Sequence, residues 1–138
     1  MTRRARAAAA RRLIAALATA VLLATAWTLP AAAHAVLVRS TPPGRATLAE
    51  KPDRVQLWFN ERLEPAFSSV SVWSSAGTQV DAGDARVGHD DAKRLSVTLP
   101  PLPPGAYSVR YRVLSVDGHV VDSSFSFTIR DKPPLERR

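Results

Sequence analysis

No cysteine occurs among the 138 residues, which excludes a disulfide framework, thiol catalysis and every metal site that needs thiolate. Methionine occurs once, at position 1. A soft thioether site therefore has no donor in the rest of the chain. Apolar runs are short. The longest run of apolar and small residues, Leu13 to Trp27, has 15 residues and no charge, fewer than the roughly 20 needed to cross a bilayer. There is no internal repeat, and 138 residues leave room for one domain.

Basic charge is abundant but unevenly spread. The chain has 19 Lys plus Arg against 12 Asp plus Glu, a formal charge of +7 and a pI near 11.0, values that would ordinarily point to nucleic acid or a membrane surface. Five arginines (Arg3, Arg4, Arg6, Arg11 and Arg12) lie within the first 12 residues, and the rest of the chain carries 14 basic and 12 acidic side chains, a net +2. No nucleic-acid partner is expected.

A basic stretch over residues 2–12, the apolar run from Leu13 to Trp27, and Ala31-Ala32-Ala33 have the order of a secretory signal peptide. The reading is a leader over 1–33, export to the periplasm or the extracellular envelope space, and a domain over 34–130 followed by a flexible tail over 131–138. The pairs Arg3-Arg4 and Arg11-Arg12 leave both the general secretory and the twin-arginine route open. Cleavage after Ala33 would make His34 the first residue and place a free α-amine and an imidazole on one residue, a pair able to close a chelate ring on a metal ion.

Beyond residue 33, apolar and polar residues alternate in short runs separated by Pro, Gly, Asp and Ser, with no sustained helical spacing. Strands are expected near Ala35 to Ser40, Arg54 to Asn60, Ser69 to Ser74, Thr78 to Asp81, Arg94 to Leu99, Ala106 to Ser115 and Val121 to Arg130. Residues Arg86 to Lys93 read as a polar loop. The fold class is all-β, a seven-stranded immunoglobulin-like (cupredoxin-like Greek-key) β-sandwich after the leader. Tyr107, Val109, Tyr111 and Val113 share one strand face, and Phe125, Phe127 and Ile129 another. With Val55, Leu57, Phe59, Val70, Val72, Leu95, Val97 and Leu99 these form the expected core.

Ser115-Val116-Asp117-Gly118-His119 separates the last two long strands. One reading is a plain hairpin turn, with glycine supplying a positive φ. The other places Asp117 and His119 as a carboxylate and an imidazole aimed at one point. Added to the two nitrogens of His34 they make three nitrogens and one oxygen, a donor set that suits tetragonal Cu(II) better than structural zinc or calcium. His89 beside Asp90 and Asp91 could also bind a metal, but reads as an exposed loop histidine.

The mature sequence resembles the CopC-type copper-resistance proteins. The resemblance is carried by His34-Ala35-Val36-Leu37 with Ser40-Thr41-Pro42, by Val55 to Glu61, by Leu102 to Tyr107, and by Ser115-Val116-Asp117-Gly118-His119 followed by Phe125-Ser126-Phe127. It implies a small β-sandwich that carries copper outside the cytoplasm, one Cu(II) per chain on His34, Asp117 and His119, with Glu61 as a supporting partner. A membrane copper transporter of the CopD type or another cuproprotein would be its partner, and the mature protein would be a soluble monomer. Two departures from the family pattern stand out. The stretch Val72 to Val80 lacks the methionines that give some members a Cu(I) site, and Val36 stands where some relatives have a histidine. A copper oxidase using the same amino-terminal histidine brace, as in lytic polysaccharide monooxygenases, and a metal-free interaction module are the competing functions. The expected activity is binding, without turnover.

Overall fold

The computed structural model describes residues 3–25 and 34–131. The expected cleavage site at Ala31-Ala32-Ala33, and all of the tail but Asp131, lie outside the described residues. The first unit is a helix, α1 (Arg3–Thr25), rich in the good helix formers alanine and leucine. No helix among the described residues is long and apolar enough to cross a membrane.

The second unit is all-β, with eight strands: β1 (Leu37–Thr41), β2 (Thr47–Leu48), β3 (Arg54–Phe59), β4 (Ser69–Ser74), β5 (Arg86–Val87), β6 (Arg94–Thr98), β7 (Gly105–Leu114) and β8 (Val120–Ile129). They form two four-stranded sheets, in the orders β1-β3-β6-β5 and β2-β8-β7-β4. All pairings are antiparallel except β2 with β8. The alternation read from the sequence becomes the inward face of each sheet. Val55, Leu57, Phe59, Leu95 and Val97 from one sheet are buried against Val70, Val72, Tyr107, Val109, Tyr111, Val113, Phe127 and Ile129 from the other. Fully burying each such side chain is worth about 1.5–3 kcal/mol. Two aromatic pairs brace this core, Phe59 edge-on to Tyr111 and Tyr107 stacked on Phe127, each with ring centroids 5.6 Å apart. Phe125 is only partly buried, since the first half of β8 runs beyond the covered part of the sandwich.

The strand count and placement differ from the sequence reading at three points. Thr78 to Asp81 is not a strand. It keeps one isolated bridge, Trp73 to Gln79, because the chain here crosses from one sheet to the other. Carboxylates hold the crossing: Asp81 Oδ2 accepts from Val72 N on β4 (2.8 Å), and Asp84 accepts from Thr98 N (2.8 Å) and Thr98 Oγ1 (2.6 Å) on β6. The expected polar loop at Arg86 to Lys93 begins instead as β5, with Val87 buried and paired to Leu95. β2 is an added edge, pairing Thr47 with Thr128 and Leu48 with Ile129. Two-residue strands leave too short a pattern to show a period of two.

The Leu102 to Tyr107 segment has a mechanical role. Tyr107 is buried, and its hydroxyl donates to Pro103 O at 2.6 Å, the tyrosine-corner arrangement of immunoglobulin-like sandwiches. Burial also pushes its phenol pKa up.

Candidate metal centre

Three segments meet at one end of the sandwich: residues 34–36 ahead of β1, residues 60–63 after β3, and the loop 115–119 between β7 and β8. The loop is tied down from both sides. Ser115 is fully buried and bridges to Leu63, and Val116 N donates to Arg62 O at 3.0 Å. The turn closes through Ser115 N to His119 O (3.0 Å) and Gly118 N to Ser115 O (2.9 Å). Gly118 has φ +93°, a conformation that L side chains rarely adopt.

Within this turn the Asp117 carboxylate faces inward. Oδ1 accepts from the Ser115 hydroxyl and from His119 N (3.2 Å), while Oδ2 lies 3.2 Å from His119 Nδ1. The Ser115 hydroxyl first, then the backbone and ring of His119, hold the Asp117 carboxyl below its ordinary pKa. The group is therefore a carboxylate at neutral pH. The contact through Nδ1 orients the His119 imidazole, in the way carboxylates fix histidine metal ligands. The ring, half-exposed, meets the ring of His34 at a centroid separation of 4.5 Å and an interplanar angle of 53°.

The structure thus brings His34 and His119 into ring contact, with Asp117 directly beside His119. The three side chains do not converge on one point. Among the described residues no group of three or more His, Asp or Glu stands in coordinating disposition. The turn reading and the ligand reading of Asp117 are compatible, since the same carboxylate serves the turn and stands next to the imidazole. Glu61 is half-buried after β3 and makes no side-chain hydrogen bond or ion pair to a described residue. His89 is exposed, with Asp90 engaged by Arg94 and Asp91 capping Lys93 N. The donors offered at the β7–β8 end are nitrogen and carboxylate oxygen with no sulfur, a set that fits Cu(II).

Two supporting residues escaped the sequence reading. Ser115 stood inside the motif but without a role, and its burial is not visible from polarity. Asn60 directly follows β3, and its side chain bonds the segment carrying His34. An asparagine at a strand end gives no signal by itself.

The CopC domain family model matches residues 37–130. The chain belongs to the CopC domain family. A relative, copper transport protein CutJ from Bacillus subtilis, is 33% identical over 98 residues, which is 70% of this chain and 18% of that protein. The chain thus spans under a fifth of CutJ. Among solved structures, CopC from Methylosinus trichosporium OB3b aligns with a TM-score of 0.65 at 38% identity, covering 70% of this chain and 93% of that one. PcoC, a methionine-rich copper resistance protein from Escherichia coli, aligns at 0.63 and 30% identity, covering 71% and 100%. This CopC domain departs from PcoC in having no methionine between residues 34 and 131.

Proposed function

We propose that this chain is an exported copper-handling protein that binds one Cu(II) through the α-amine and imidazole of His34 together with His119 and Asp117. It would buffer copper or pass it to a membrane transporter of the CopD type or another cuproprotein, without turnover. Membership of the CopC family supports the metal. The observation that supports the site is the contact between the His34 and His119 rings, with the Asp117 carboxylate on His119 Nδ1. In this reading residues 1–33 are the export leader, and its removal creates the amine donor. An amide nitrogen at the Ala33–His34 bond would be a poor donor, because its lone pair is delocalised into the carbonyl.

Mass spectrometry of the processed protein with and without Cu(II) tests the reading. The expected result is a chain beginning at His34 that takes up one copper. A different first residue, or no copper uptake, would overturn it.

A further inference from the structure

The antiparallel ladder between β1 and β3 ends irregularly. Leu37 pairs with Phe59, and a register shift follows between Leu37 and Arg39. One more backbone bond extends the ladder toward the chain start, Asn60 N to Val36 O at 3.1 Å. In a regular antiparallel pair Val36 N would return a bond to Asn60 O. The chain turns aside here instead, and beyond Asn60 its backbone bonds Val116 N through Arg62 O and Ala92 O through Leu63 N. The amide of Val36 is left without a backbone partner.

Asn60 fills the vacant place with its side chain. Its Oδ1 accepts from Val36 N at 2.6 Å, and its Nδ2 donates to His34 O at 3.4 Å. One carboxamide thereby grips the two consecutive peptide groups on either side of Ala35, and Ala35 is itself buried at 3% exposure. A carboxamide offers an acceptor and a donor in the spacing of a peptide group, so it can stand in for one more residue of strand. A serine hydroxyl carries its donor and acceptor on one short-armed oxygen without the peptide-like spacing, and aspartate has no donor for the carbonyl.

We infer that Asn60 is the positioning residue for the amino-terminal copper donors. Resting on the copper reading above, it fixes the backbone of His34 so that its amine and imidazole are held beside His119 before the metal arrives. Asn60 itself touches no metal. Its contribution is preorganisation: without the clamp, residues 34–36 must be ordered when copper binds, and affinity falls. Residues that orient metal ligands in this way commonly change affinity by about 10- to 100-fold when removed.

The test measures Cu(II) affinity of Asn60→Ala in two backgrounds, the processed protein and the same protein extended by one Gly before His34. Affinity should fall about 10- to 100-fold in the processed protein and by much less in the extended one, which has already lost the amine donor. The Cu(II) electron paramagnetic resonance spectrum should broaden only in the first, and the apo protein should unfold at nearly the wild-type temperature. Equal losses in both backgrounds would show a merely structural role and overturn the inference; so would unchanged affinity and spectrum. Asn60→Ser, which retains a short acceptor, should fall between wild type and Asn60→Ala, and carries the same comparison if Asn60→Ala does not fold. If the Gly extension alone leaves affinity and spectrum as they were, the copper reading itself fails, and the role of Asn60 in it falls too.

Discussion

The Nδ1 of His119 lies 3.2 Å from Asp117 Oδ2, and the other oxygen of that carboxylate is taken by the Ser115 hydroxyl and His119 N. One aspartate therefore shapes the turn and orients the imidazole. Asp117 and His119 should respond differently to mutation. His119→Ala removes a nitrogen donor and should weaken Cu(II) binding strongly, with the apo fold intact because the loop side chain contributes little to the core. Asp117→Asn should weaken binding less and shift the Cu(II) spectrum. Competition titration and visible spectra of both variants check this. Unchanged affinity and spectra in both would leave the turn as the motif's whole purpose.

A second expectation concerns oxidation state. Residues 34–131 contain no sulfur donor, and soft Cu(I) favours thioether or thiolate. Titration against a Cu(I) chelator should reveal no thioether-bound ion. X-ray absorption showing copper–sulfur bonds would refute this.

Stability in acid should depend on Asp84. Its carboxyl is held below the ordinary 3.8, chiefly by the hydroxyl and amide of Thr98. A pKa lower in the folded than the unfolded state adds stability that is present above the unfolded value and is lost as pH falls through the folded one. Asp84→Asn should lower stability at neutral pH and flatten its decline below about pH 4. Denaturant unfolding of both proteins at several pH values checks the slope, and parallel curves would contradict the assignment.

Tyr107→Phe should cost about 0.5–1.5 kcal/mol through loss of the bond to Pro103 O. For a domain of this size that is a fall of several degrees in Tm. Copper affinity should be unaffected, since the corner serves the fold. Thermal unfolding and a Cu(II) titration separate the two effects.

The legibility of the sequence follows the length of each element. β7 and β8, ten residues each, show their period in Tyr107-Val109-Tyr111-Val113 and in Phe127-Ile129, and both stripes are buried. β2 and β5 have two residues each and owe their pairing to neighbours distant in sequence. Thr78 to Asp81 alternates like a strand, but Asp81 and Asp84 bind strands of opposite sheets and draw the segment across between them. At the proposed site, His34, Asp117 and His119 are legible because their chemistry is distinctive. Ser115 and Asn60 are not, since their roles come from burial and from a ladder that ends one residue early.

Electron paramagnetic resonance of the Cu(II)-loaded protein, recorded for the processed protein and for the form with one Gly before His34, bears most directly on the proposed copper site. The extension keeps every side chain but moves the α-amine onto the added glycine, which breaks the six-membered chelate made by the amine and Nδ1 of His34. The expected result is a changed spectrum together with an affinity lower by orders of magnitude. Identical spectra and equal affinities would contradict the site and leave His34 as an ordinary imidazole at most.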